Sequence, residues 1–281
     1  MAGLIGSVAV IAALTACTTP TDATEGTDLS AALVSTPAIA TAGTLSVCVS
    51  ASNGNPPNYF VDESNEVQGL EVEMAQYVAD YLGLQYRAHD VPFASIIPSL
   101  QAAQCDVIMS SLYIKPERAE VVDFVPYLSQ STAIGVRKGN PDDITGLDDS
   151  VCGLNVGAQT GTTANLTAVT VSEACVAAGK PAVLISETDA ATTSAQLLIS
   201  GQIDVWAATS PGIDYYHQQS DEGFDLAGEP IGVVNVGAGT LKGNDELHAA
   251  IDDAFTEMRA DGSYDAFLQQ WGQERAAYIA E

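Results

Sequence analysis

Cations are rare in this chain, 9 Lys and Arg against 36 Asp and Glu for a formal charge of −27, so each one invites a chemical question. Arg118 is the foremost. A guanidinium grips a carboxylate through two parallel N–H donors, which suits it to a carboxylate-bearing solute. A second anion-binding feature is Gly161-Thr162-Thr163, a Gly/Thr turn that opens a helix with free backbone N–H groups and the positive end of a helix dipole. On residue type alone both have plainer readings: Arg118 as a surface arginine paired with Glu117 or Glu120, and Thr162 or Thr163 as an ordinary helix cap. Phe93, Tyr113, Tyr59 and Trp206 can turn π faces toward a cation or simply pack. The three histidines, His89, His217 and His248, sit in no Ser/His/Asp or Cys/His arrangement, so binding without catalysis is the expectation. No CxxC or Cys/His cluster offers a zinc site, and no cofactor is expected. The acidity repels nucleic-acid phosphates and anionic lipid headgroups, which excludes a nucleic-acid partner.

The elements that must position these residues can be read along the chain. Residues 1–16 are small and apolar, too short to span a bilayer, and resemble the core of a secretory signal peptide, although no Lys or Arg precedes them. Leu14-Thr15-Ala16-Cys17 resembles the bacterial lipobox, which makes Cys17 the expected lipidated residue and residues 17–43, rich in Thr, Ala, Ser, Asp and Pro, a flexible tether. From Thr44 the pattern alternates strands with helices. Leu45, Val47 and Val49 alternate as in a strand, and Val72, Ala75, Val78, Ala79 and Leu82 recur at helical spacing before Gly83. A second such series follows Gly139-Asn140-Pro141, so the chain reads as α/β with two lobes, each a mostly parallel sheet with crossover helices. With Cys17 assigned to lipid, four of the five cysteines remain, which in an exported protein suggests two disulfides in one of three pairings. A helix that follows a strand in a βα unit runs back antiparallel, bringing Cys175 near the helix end toward Cys152 at the strand start. Cys48 and Cys105, both beside first-lobe strands, are left to each other.

Five blocks in register carry a family resemblance: NPPNYFVDESNEVQGLEVEMAQYVADYLGL, PFASIIPSLQAAQCDVIMSSLYIKPERAEVVDFVPY, VGAQTGTTANL, LLISGQIDVWAA and LKGNDELHAAIDDAFTEMRADGSYDAFLQQWG. From Thr44 to Gly272 the chain resembles the periplasmic polar amino-acid-binding proteins of ABC importers, such as the histidine- and lysine/arginine/ornithine-binding proteins. The resemblance implies two α/β lobes joined by two crossing hinge strands, residues 44–129 plus 233–281 against 130–232, with the ligand in the cleft between them. It implies a monomeric extracytoplasmic receptor, anchored through lipid on Cys17, that delivers an amino acid or derivative to a membrane permease.

Arg118, eight residues after Ser110 in SSLYIKPER, stands at the family's ligand-binding arginine. Thr163 aligns with a ligand contact, and Ser110, Ser111 and Tyr113 with positions that hydrogen-bond or flank the ligand. The chain departs from the pattern at Thr209, where many members carry an Asp for the ligand's ammonium, and at Asn58 and Ser52, where Phe and Asp are usual. Asp204 reads as structural. The ammonium is thus left without an acid, and Phe93 and Tyr113 become candidate cation contacts, which opens the door to a methylated amine, compatible solute or opine. A periplasmic cyclohexadienyl dehydratase shares the fold, so an enzyme that uses Glu173 or Glu187 as general acid is the competing expectation.

Overall fold

The computed structural model describes residues 1, 3, 32–221 and 223–278; the rest of the expected signal peptide and Cys17 lie outside them. The chain runs β1 (Thr44–Val49), β2 (Phe60–Val61), β3 (Val67–Gln68), α1 (Leu70–Tyr81), β4 (Gln85–Asp90), α2 (Ile96–Gln101), β5 (Val107–Ile108), α3 (Pro116–Ala119) and β6 (Val122–Arg137). It continues through β7 (Asn155–Gln159), α4 (Thr163–Ala177), β8 (Leu184–Thr188), α5 (Ala191–Ile199), β9 (Val205–Thr209), α6 (Ser210–Gln219), β10 (Phe224–Leu226), β11 (Ile231–Leu241), α7 (Asp245–Ala260) and α8 (Ser263–Gln270).

The alternation of strand and helix yields one sheet in the order β4-β1-β5-β11-β6-β9-β7-β8, with β10 beside β6. At one end β1 pairs in parallel with β4 and β5; at the other β7 pairs in parallel with β8 and β9. Between them the long antiparallel strands β6 and β11 run together from Val122↔Leu241 to Thr132↔Ile231. Each end has its own core. Leu45, Val78, Leu82, Ile251 and Phe255 pack where α1 and α7 cover the first, while Val136, Val156, Ala168 and Val205 pack beneath α4 in the second. Strand β6 contributes Val125 and Leu128 to the first core and Ile134 and Val136 to the second, so one strand belongs to both lobes.

The tether expected as far as residue 43 ends sooner. Val34 and Ile39 are buried in the first core, the Leu33 N–H donates to Leu82 O at 2.9 Å and the Ala40 N–H donates to Asp106 Oδ1 at 2.7 Å. The Thr/Ala/Pro composition of this stretch masks its few anchoring apolar side chains.

Both expected disulfides are present, Cys48–Cys105 with Cα atoms 5.6 Å apart and Cys152–Cys175 at 5.7 Å. The second closes a separation of 23 residues inside one lobe. On the chain-entropy account, replacing Cys152 and Cys175 with Ala removes about 3 kcal/mol of stability. Denaturant unfolding checks this, and an unchanged midpoint would contradict it.

Candidate ligand-binding cleft

Between the two lobes lies a cleft of about 490 Å³, open in part to solvent. Of the sequence-predicted residues, Arg118, Thr162, Thr163, Ser111, Tyr113, Phe93 and Thr209 line it. Ser110 and Asn58 do not. Ser110 is fully buried with its Oγ accepting from the Ser50 N–H at 3.1 Å, and Asn58 is buried behind the wall, its Nδ2 donating to Ser111 Oγ at 2.9 Å. Asn58 packs closely under Gly69: a Cβ on Gly69 (φ +132°) would meet Asn58 O at 2.3 Å, so only glycine fits.

Arg118 sits in the short helix α3 that Pro116 opens. Its Nη1 donates to Tyr113 O at 3.0 Å, its Nη2 reaches across the cleft to Gly161 O at 3.3 Å, and its guanidinium lies 5.8 Å from the centre of the Phe93 ring. Burial pulls its pKa below the ordinary arginine value, against the opposing pull of Glu117 and Tyr113. Among the described residues it forms no ion pair with a carboxylate, unlike Arg137, which pairs with Asp142 and Asp204. Asp204, as expected, is structural: its other oxygen accepts from the Asn155 N–H at 2.8 Å.

Across the cleft α4 begins at Thr163. Thr162 caps it, accepting from the Asn165 N–H at 3.2 Å. The first-turn N–H groups of a helix have no partner within it, and this turn lines the cleft. Thr163 Oγ1 is buried with no hydrogen-bond partner among the described residues. Gly161 (φ +78°) lets the turn come close to the first lobe; a Cβ there would stand 3.3 Å from Ala94 Cα.

The lobes touch at a second point. Thr209, at the position where an Asp would face the ammonium, caps α6 and donates to Asn55 Oδ1 in the first lobe at 3.1 Å. Asn55 Nδ2 donates in turn to Ser111 Oγ at 3.3 Å. Behind Ser111 stands Glu71, fully buried, accepting from the Ser111 N–H at 2.7 Å and the Ser111 hydroxyl at 2.6 Å. Burial raises the Glu71 pKa, and the Ser111 hydrogen bonds oppose the rise. Ser111 itself is held at φ +50°, an uncommon backbone conformation for a residue with a side chain. Glu71 escaped the reading of the site because EVE in a first helical turn looks solvated. Its spacing to Ala75, Val78 and Leu82 nonetheless places it on the buried face of α1. Asn55, Thr132 and Gln159 also line the cleft and carried no sequence signal beyond polarity. Glu173 and Glu187 are both exposed and outside it.

Two α/β lobes on shared crossing strands, with a buried arginine and a helix start facing each other across the gap, define a two-lobed solute-binding protein. The chain belongs to the bacterial extracellular solute-binding proteins, family 3, whose model matches residues 45–274. It is 30% identical to the arginine-binding protein ArgT of Corynebacterium glutamicum over 78% of this chain and 71% of that one. Among solved structures, an ancestral arginine-binding protein bound to arginine superposes with a TM-score of 0.74 at 32% identity, covering 82% of this chain and 98% of the other. The ancestral amino acid-binding protein AncCDT-1, a precursor of cyclohexadienyl dehydratase, superposes at 0.70 with 28% identity, over 82% and 95%.

Proposed function

We propose that the protein captures a free amino acid by closing its lobes and hands it to an ABC permease from outside the cytoplasm. Arg118 clamps the ligand carboxylate from one lobe, and the start of α4 at Thr163 completes the grip from the other. One observation carries this: Arg118 is the sole charged side chain among the described residues lining the cleft, and it already reaches the α4 turn at Gly161. Burying a carboxylate requires such fixed partners. The relatives named for arginine and amino-acid binding support an amino acid as the ligand class.

The lobe boundaries we assign are 32–129 plus 233–278 against 130–232, taken from the cores and the crossing strands. Binding proceeds without chemistry in this reading, which is supported by the lack of any acid among the described residues that line the cleft. The lipobox-like run supports anchoring of a monomer through Cys17. A quaternary ammonium ligand receives less support, since Phe93 already faces the Arg118 guanidinium and the Tyr113 hydroxyl donates to Ser131 O at 2.9 Å.

A ligand held by both lobes stabilises the closed state through the contacts made only there. Small-angle scattering of the purified protein should therefore show a smaller radius of gyration at amino-acid saturation. An unchanged radius would mean that one lobe binds alone.

A further inference from the structure

An amino acid brings an ammonium as well as a carboxylate into the cleft, and a buried charge without a partner is strongly disfavoured. Among the described residues that line the cleft none is an acid. A countercharge is nonetheless close by, at the end of a hydrogen-bonded chain that crosses the wall. The fully buried Glu71 carboxylate accepts the Ser111 N–H at 2.7 Å and the Ser111 hydroxyl at 2.6 Å. A hydroxyl has one proton to give, so Ser111 Oγ can otherwise only accept. Its two lone pairs take the amide N–H groups of Asn58 at 2.9 Å and Asn55 at 3.3 Å.

This order of donors fixes which way the Asn55 amide faces. Its Nδ2 must point at Ser111, so its Oδ1 points to the second lobe, where it accepts from the Thr209 hydroxyl at 3.1 Å. Asn55 and Thr209 both line the cleft, and they belong to opposite lobes. The oxygen therefore sits in the gap that the ligand enters and not in the core of either lobe. Gly212 lets the start of α6 come against it: a Cβ there would stand 2.7 Å from Asn55 Oδ1. A carbonyl oxygen accepts two hydrogen bonds, and Thr209 supplies one. Each link of the chain donates toward Glu71, so the carboxylate polarises the Asn55 amide and makes Oδ1 a stronger acceptor.

Resting on the amino-acid receptor reading above, we infer that Asn55 Oδ1 and Thr209 Oγ1 receive the α-ammonium of the ligand, with Glu71 as the positioning residue that supplies the countercharge through Ser111 and Asn55. The chain thus replaces the acid that the sequence pattern leads one to expect at Thr209. Such a site suits an ammonium that carries N–H donors and gives a quaternary one nothing to bond.

Calorimetric titration of the full chain with L-arginine, L-glutamine and L-glutamate, each beside its deaminated counterpart (5-guanidinopentanoate, 4-carbamoylbutanoate and glutarate), tests this. For the amino acid that binds most tightly, deamination should cost the wild-type protein at least about 100-fold in affinity, the scale of a lost buried charge contact. Glu71→Gln keeps the shape and removes the charge, and Asn55→Ala removes the acceptor. Each should cut that deamination factor by at least about tenfold, the effect of one hydrogen bond to a charged group. Asn55→Ala carries the test should Glu71→Gln fail to fold. A merely structural role would weaken the amino acid and its deaminated counterpart alike. An unchanged deamination factor in the folded variants overturns the inference and leaves the amino-acid receptor intact. Equal binding of the two ligands by the wild-type protein does the same. If none of the three amino acids bound, the receptor reading and the inference would fall together.

Discussion

Arg118→Ala is expected to weaken amino-acid binding by about 2–5 kcal/mol, the range for removing one partner of a buried hydrogen-bonded charge pair. The fold should survive the change. Arg118 sits in a four-residue helix with no buried residue of its own, and its protein contacts are two hydrogen bonds to carbonyls and the face of Phe93. Both hydrogen bonds are only partly buried, so the unfolding midpoint should move little. Arg118→Lys retains the charge but loses the planar fork, and should recover only part of the affinity. Calorimetry on folded Arg118→Ala with an unchanged dissociation constant would remove Arg118 from the clamp.

The second large effect lies behind the wall of the cleft, at a residue that no ligand touches. Glu71→Ala leaves the Ser111 N–H and hydroxyl without their acceptor, and each unmet buried group costs about 1–3 kcal/mol. It also removes what holds Ser111 at φ +50°. A stability loss of roughly 2–6 kcal/mol follows from the two groups together. Because Ser111 lines the cleft, affinity should fall as well, in whatever fraction stays folded. Glu71→Gln keeps one acceptor oxygen and should lose less than Glu71→Ala on both counts. Denaturant unfolding that showed a loss within about 0.5 kcal/mol, the usual scale of a surface substitution, would contradict this role.

These two residues also mark what was legible in the sequence. The place of Arg118 at the cleft could be read because its neighbours in SSLYIKPER set it in a family pattern, and the same held for the place of the Thr162-Thr163 turn. The two lobes followed from alternation, the Cys152–Cys175 pairing from the direction in which a βα unit returns, and the Cys48–Cys105 pairing from the two cysteines then left over. Glu71 was hidden by its type: an acid beside Glu73 in a first helical turn looks like a dipole partner in solvent, and only the period it shares with Ala75 and Val78 says otherwise. Asn58 and Ser110 were drawn toward the ligand by alignment, yet long-range packing sets them behind it, Asn58 under Gly69 and Ser110 against Ser50. Thr209 was noticed as a missing acid. Its hydrogen bond to Asn55 joins residues from different lobes, which no local pattern could reveal. The end of the tether was misplaced for a similar reason, since Val34 and Ile39 join the first core only after the chain has folded.

The measurement that tests the account most directly compares the tightest-binding free amino acid with its carboxyl-amidated form in calorimetric titration of the wild-type protein. The two ligands share the side chain and ammonium and differ at the carboxylate assigned to Arg118 and the α4 turn. The free acid should bind with one-to-one stoichiometry, and amidation should cost at least about 100-fold in affinity, the scale of a lost buried charge contact. Equal affinity for the two would show that the carboxylate is not the group this cleft recognises.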